Sequence, residues 1–335
     1  MLHILYAFLV VVAGSVLVGW GLGRLPRGRW RTAGLAGLVA VDAAAATLLV
    51  LELGMALFFA QSDGFNLTRS SQNWFARYWK PVNSLGYRDA EPRLKAAGEK
   101  LVVVVGDSFA AGHGVDRAED RFADVLGRDL GAGWRVGMVA KPGWDTVDED
   151  KGLRAYPQKP DVVVLAYFVN DIIPAARERH ADLQFPIRFP RGMTQYLVDH
   201  FALANFAYWR LARTGNMEGA GQRFWEGLAQ AYADPEVWSV HAAQLDSIVA
   251  WCRDNGTRLV VLVIPNLVNV AGSAPMTGKV AAFFRDKGVT TVDLTGPLAG
   301  RRSSDMVVNA VDSHANVKLH AEIAGLLRQA ILAGQ

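Results

Sequence analysis

From residue 101 onward, short apolar runs alternate with segments of helical periodicity. "LVVVVG" (101–106), "WRVGMVA" (134–140), "DVVVLAYFVND" (161–171), "RLVVLVIP" (258–265) and "VTTVDL" (289–294) read as strands. Their near-continuous apolar character fits strands of a parallel sheet buried on both faces. Between them the period changes to 3.6. Phe122, Val125, Leu126 and Leu130 share one helical face, and residues 240–254 form an amphipathic helix that stops at "NG". Residues 278–287 are helical, and a last helix over about 319–333 turns Ile323, Leu326, Leu327, Ala330 and Ile331 to the core. Strands alternating with helices predict a parallel α/β sheet with helices on both faces.

Two parts of the chain break this alternation. Residues 177–238 insert between the third and fourth strands. There "YLVDHFALANFAYWRLAR" is amphipathic and aromatic, "TGNMEGAGQ" reads as a flexible turn, and "RFWEGLAQAY" reads as another helix. The segment suits a lid, a membrane-surface element or plain packing. The N-terminus differs more. Residues 4–23 carry no charge, and residues 33–60 are apolar except for Asp42 and Glu52. Each is long enough for the ~20 residues that span a bilayer. Between them "RLPRGRWR" holds four arginines in eight residues, which places that loop in the cytoplasm and everything after residue 60 outside. A cleaved signal peptide is the competing reading, but "MLHILYAF" lacks a basic n-region. Asp42 and Glu52 either face a partner helix, lie near an interface, or serve a function. The connector 61–98 is polar and aromatic. Its Trp74, Phe75, Tyr78 and Trp79 suit either the membrane interface or packing on the globular domain.

Composition then narrows the function classes. The net charge is +3, with four of the arginines in the cytoplasmic loop, so no basic stripe remains for nucleic acid. The single cysteine, Cys252, excludes an intramolecular disulfide framework and a cysteine zinc cluster. It falls on an apolar helical face with Leu245, Ile248 and Val249 and reads as core.

Active sites of parallel α/β sheets lie at the C-terminal strand ends. After the first strand comes Gly106-Asp107-Ser108. Ser108 is either a helix cap or a nucleophile at a helix N-terminus, where N–H groups favour developing negative charge. The stretch lacks the Lys-Ser/Thr pair of a Walker A loop, and Ala110 replaces the second glycine of a G-x-S-x-G elbow. After the second strand comes "KPGWDT", where Gly143 is a turn glycine or a backbone N–H donor. After the third comes Asn170-Asp171, where the Asn170 amide is a turn residue or an oxyanion donor. Near the C-terminus, "VDSHANVKLH" places Asp312 and His314 in a loop before the last helix. The order Ser…Asp…His supplies a nucleophile, its base and a carboxylate to orient that base.

"GDSF", the glycine of "KPGW", the "ND" pair and "DSHAN" together resemble the four sequence blocks of the SGNH (GDSL-type) hydrolases, and "NSLGYRD" (83–89) resembles a bacterial, membrane-anchored branch. The resemblance covers about residues 83–333. It implies a flavodoxin-like sheet of five parallel strands in order 2-1-3-4-5, with Ser108, His314 and Asp312 as the catalytic set. Ser108, Gly143 and Asn170 would form the oxyanion hole. No organic cofactor and no metal is implied. The chain departs from the family in two places. One residue separates Asp312 from His314 where D-x-x-H is common, and "HANVKLH" replaces H-P-N-x-x-G-H. His320 is therefore a second candidate base, and His113 reads as a surface turn residue.

The expected organisation is a two-helix transmembrane anchor over 1–60, a connector over 61–98 and a hydrolase domain over 99–335. The expected activity is an extracytoplasmic serine esterase of the bacterial inner membrane, acting on an O-acyl ester of a glycan, lipid or small molecule. An O-acyltransferase and a catalytically silent glycan- or protein-binding module are the alternatives. Protein partners cannot be read from the sequence.

Overall fold

The computed structural model describes residues 2–179, 183 and 187–334. The chain divides into two compact units. One comprises Met1–Gln61, Asn66–Asn73 and Ile187–Asn216, the other Ser62–Phe65, Trp74–Pro186 and Met217–Gln335. Residues 180–182 and 184–186 of the expected insertion lie outside the described residues.

In the first unit, helices Leu2–Gly23 and Arg29–Leu57 pack on one another as a hairpin. Arg29–Leu57 is long and apolar enough to cross a membrane, and Phe8–Gly23 is apolar but shorter. Large apolar side chains such as Val10, Leu17, Val39 and Val50 are mostly exposed. The two acidic residues of the hairpin both have partners. Ser15 Oγ donates to Asp42 Oδ1 across the helix pair. Glu52 is buried and accepts from the backbone N–H groups of Ala202 and Leu203, two of the free donors at the start of helix Ala202–Ala233. That helix runs unbroken through "TGNMEGAGQ", contrary to the expected turn. A glycine costs a helix only about 1 kcal/mol, and the amphipathic flanks carry the helix across.

The second unit is built on five parallel strands in order β2-β1-β3-β4-β5. They are β1 Lys100–Gly106, β2 Trp134–Ala140, β3 Val162–Phe168, β4 Arg258–Ile264 and β5 Thr290–Asp293. The expected order and the five expected strands are present. Leu101–Val105 and Val163–Tyr167 are fully buried, which explains their lack of alternation: both faces are covered. Helix Phe122–Leu130 packs with Val317–Leu332, and Thr146–Ala155 with Pro235–Asp254, flanking the sheet. Ile323, Leu327 and Ile331 are buried as their spacing predicts. Cys252 is buried, and burial pushes its thiol up to about 12, so it is an inert core residue.

Two elements differ from expectation. Helix Val270–Asp286 starts eight residues before its predicted start at 278, because Asn269 caps it by accepting from Gly272 N–H and Pro275 is accommodated inside it. Asp312 and His314 lie on a short strand rather than a loop. β6 (Val307–Asn309) and β7 (Asp312–Ala315) form a small antiparallel ribbon leading into the last helix.

Candidate active site

The ends of β1, β2 and β3 are in register: Gly106 pairs with Ala140 on one side and Ala166 on the other. The segments that follow them therefore share one edge of the sheet. After β1, Asp107 is the residue that caps. Its Oδ1 accepts from Phe109 N–H at 2.8 Å, and Ser108 opens a single helical turn, Ser108–Ala111. One turn carries little macrodipole, so the expected helix-dipole contribution at Ser108 is small. The Ser108 hydroxyl is left to another partner, and its Oγ lies 2.8 Å from His314 Nε2.

β7 explains how Asp312 reaches His314 despite the short spacing. Residues i and i+2 of a strand share a face, and Asp312 and His314 are buried while Ser313 between them is exposed. Asp312 Oδ1 accepts from His314 Nδ1 at 2.6 Å and from His314 backbone N–H at 3.0 Å. A carboxylate only accepts, so it fixes the proton on Nδ1 and leaves Nε2 as acceptor for the Ser108 hydroxyl. Asp312 Oδ2 accepts from Ser62 Oγ. Burial alone would raise the Asp312 carboxyl, but the His314 charge and hydrogen bond, with His113 and Ser62, hold it below the usual carboxylate range. For His314 burial disfavours the charged ring; Asp312 outweighs it, and the imidazole titrates above an ordinary histidine.

His113 is not the surface turn residue its context suggested. It is 2% exposed and stacks on His314, with ring centroids 4.5 Å apart and planes 10° apart. Trp74 stacks on its other side at 5.6 Å, and Phe75 meets it edge-on at 5.1 Å. Burial, then the His314 charge, lower His113 to about 3, so it stays neutral beside His314. The flanking glycines are the signal that sequence reasoning passed over. Gly112 and Gly114 both have positive φ, and a Cβ on Gly114 would lie 2.8 Å from Asp312 Oδ2. "GHG" thus lets the loop press against the Asp312 carboxylate. Arg88 of "NSLGYRD" holds this loop: its buried guanidinium donates to the carbonyls of Gly112, Val115 and Asp116. Trp74 Nε1 donates to Asp116 Oδ1 at 2.6 Å, so this connector aromatic packs on the globular unit. Ser62 had no sequence signal, since it acts from far upstream.

His320 is excluded as the base. It is buried, its Nδ1 accepts from Phe122 N–H at 3.1 Å, and it stacks on Phe122. His113, Asp312 and His314 bring ligand atoms within 4.8 Å of one another, but this is a poor metal centre. The two rings are nearly parallel, so their lone pairs lie in separate planes and cannot both reach one ion at ~2.0–2.1 Å.

Gly143 is the third residue of a turn closed by Trp144 N–H to Lys141 C=O at 3.3 Å. Pro142 precedes it and its φ is +80°, the pattern of a type II turn, which requires glycine there. Asn170 sits in the single 3-10 turn Val169–Ile172 after β3, and its buried Oδ1 has no partner among the described residues. Asp171 fixes this turn by accepting from Phe168 N–H at 3.1 Å. Close by in charge terms lie Asp107 and Glu149, both buried. Burial pushes Asp107 up to about 6, and burial with mutual repulsion holds Glu149 and Asp171 well above the carboxylate range.

The fold is thus a doubly wound α/β sheet with a serine, a histidine and an aspartate hydrogen-bonded in series at its C-terminal edge. The chain belongs to the GDSL-like lipase/acylhydrolase family, whose model matches residues 104–321. It is an acylhydrolase-family chain. Similar solved structures include the lipase Lip_vut3 from a goat rumen metagenome, at 13% identity over 69% of this chain and 97% of that one, TM-score 0.45. A lipase/acylhydrolase from Enterococcus faecalis matches at 14% identity over 70% and 96%, TM-score 0.43. The psychrotrophic esterase EstA from Pseudoalteromonas sp. matches at 13% identity over 70% and 98%, TM-score 0.42. Comparison with curated proteins finds no match to this chain.

Proposed function

We propose that this chain is a membrane-anchored serine esterase whose hydrolase domain works on the extracytoplasmic side of the bacterial inner membrane. The observation that carries the reading is the hydrogen-bonded series Ser108 Oγ to His314 Nε2, 2.8 Å, and His314 Nδ1 to Asp312 Oδ1, 2.6 Å. In the first half-reaction the Ser108 oxygen adds to the acyl carbonyl while His314 Nε2 takes its proton. The N–H groups of Ser108 and Gly143 and the Asn170 amide face the oxyanion. His314 then gives the proton to the leaving alcohol oxygen, and the acyl group stays on Ser108. Water repeats the sequence with His314 as base, releasing the acid and restoring the serine. Asp312 stays ionised throughout and supports the imidazolium.

The domain reading is an anchor over 1–60, a connector over 61–98 and a hydrolase domain over 99–335 with a helical insertion at about 177–238. Orientation rests on Arg24, Arg27, Arg29 and Arg31 in the hairpin loop. Transfer of the acyl group to a sugar hydroxyl in place of water uses the same residues, so the acceptor alone separates the two activities.

A fluorophosphonate probe tests the reading on the full chain in membranes. Wild type should label covalently, Ser108→Ala should not, and p-nitrophenyl acetate turnover should vanish with the label. Turnover that rises with added sugar acceptors would reassign the protein as a transferase. A folded wild type that takes no label overturns the nucleophile.

A further inference from the structure

A cavity of about 550 Å³ lies wholly within the first unit, where neither Ser108 nor its partners contribute. Its size is within the ~300–1,000 Å³ typical of small-ligand sites. Its walls come from the end of helix Arg29–Leu57, the segment 66–73 and residues 189–209. Side-chain hydrogen bonds fix them in place. Asn205 is buried, accepts from Arg69 N–H at 3.0 Å and donates to Val198 C=O at 3.2 Å. Asn73 Nδ2 donates to the carbonyls of Ala56 and Phe59, each at 3.0 Å. The Arg69 guanidinium donates to Asp199 C=O.

Against that bonded frame, several groups on the wall have no partner. Trp209 lines the cavity and is 9% exposed, yet its buried indole N–H makes no hydrogen bond among the described residues. A buried tryptophan N–H normally has an acceptor. The exposed side chains of Gln72, Gln195, Asn66 and Asp199 also line the cavity, make no hydrogen bond among the described residues, and are free to exchange water for a ligand. We propose that this cavity is a binding site for an uncharged saccharide, separate from the serine site.

The chemistry selects that class. Amide side chains both donate and accept, as vicinal hydroxyls do. Among the described lining residues Arg69 is the one cation and Asp199 the one anion, so they give the wall no net charge to attract a phosphate. Most of the lining is too polar for an acyl chain. Trp209 and Phe189, packed edge to face at 6.2 Å, supply an apolar surface for the C–H face of a sugar ring. Ala56 places the cavity at the end of the apolar helix remote from the arginine loop. On the anchor reading this is the extracytoplasmic face of the inner membrane, where a glycolipid headgroup and a free glycan are both sources of the same chemistry.

Saturation-transfer NMR on the full chain in phosphatidylcholine nanodiscs tests this with glucose, galactose, mannose and N-acetylglucosamine, and with their octyl glycosides. At least one sugar should receive saturation, and inorganic phosphate should not displace it. Gln195→Ala, at an exposed position, and Trp209→Phe, which keeps the ring and removes the N–H, should each weaken binding by up to about tenfold, the worth of one neutral hydrogen bond. Ser108→Ala should leave it unchanged. Tighter binding of an octyl glycoside than of its free sugar assigns a glycolipid source, and equal binding a free glycan. Saturation of no sugar overturns the proposal, as does binding indifferent to both variants or displaced by phosphate. Circular dichroism and thermal melting of each variant report its fold, and a wild type that binds sugar but takes no fluorophosphonate label would strike the esterase reading without touching this one.

Discussion

Asp312 and Glu149 are equally buried, but their surroundings treat a negative charge in opposite ways. Around Asp312 the His314 ring and backbone and the Ser62 hydroxyl all donate to the carboxylate, and His113 Nε2 lies 3.9 Å away. Its carboxyl stays ionised far into acid. Around Glu149 neither carboxyl oxygen has a hydrogen bond among the described residues, and Asp107, Asp145 and Asp148 repel a charge there. Its carboxyl keeps a proton. Burial by itself therefore does not set charge state; partners do. The region with partners supplies the fixed anion that a general base needs. The region without them supplies neutral bulk next to the Asp107 and Asp171 turns.

Substitution by the isosteric amide separates the two regions most sharply. Asp312→Asn removes the anion and upsets the Nδ1–H tautomer, and kcat should fall by ~10⁴, as in other serine hydrolases. The residual activity also moves in pH. In wild type kcat/KM should rise as His314 loses its proton, with a midpoint above ~6.5, since Asp312 raises that ring. In Asp312→Asn burial is opposed only by the weaker pull of Asp107, so the midpoint should drop below wild type. A pH–rate profile unchanged by the substitution would show that Asp312 does not act on His314. Asn170→Ala should cost ~10²–10³ in kcat with KM little changed; a KM effect alone would make Asn170 a substrate-binding residue.

Legibility in the sequence follows the same division. The five strands and their helices were legible because both faces of the sheet are apolar and the helices carry regular stripes. Ser108, Gly143 and Asn170 stood out as candidates because each follows such a strand, and His314 because the order Ser…Asp…His and the resemblance of "DSHAN" single it out before the last helix. The two-residue step from Asp312 to His314 was not legible as geometry, because β7 is four residues long and pairs only with β6. Its apolar pattern is too short to announce a strand. His113 and Ser62 were hidden for different reasons. His113 is recognisable only from the paired positive-φ glycines beside it, and Ser62 reaches Asp312 from 250 positions away in sequence. Glu149 looks like any acidic residue in the first turn of a helix, and only its burial sets it apart.

Ser62→Ala weakens the favoured region without removing its anion. Asp312 keeps both bonds to His314, so kcat should fall by no more than about 10²-fold, the worth of one hydrogen bond to a charged group. A loss as large as that of Asp312→Asn would mean that Ser62 positions the whole strand.

Glu149→Gln should have the smallest effect on turnover, because an amide replaces a group that is already neutral. Its effect belongs to stability. A carboxyl whose folded pKa is raised binds a proton in the native state that the unfolded state has lost. Stability therefore declines as pH rises from the unfolded value, ~4.3 for Glu, up through the raised folded value. Asp107, at about 6, contributes in the same direction. Asp312, with its lowered pKa, works the other way: it adds stability as pH rises out of acid and loses it as pH falls. The melting temperature of Glu149→Gln in the full chain should therefore gain on that of wild type as pH rises from about 5 toward 8, because the buried histidines lowered by burial, His113 and His320 at about 3, act in the opposite direction but on both proteins alike. A variant that melts with the wild-type slope would mean that Glu149 is ionised in the fold, and the contrast with Asp312 would collapse.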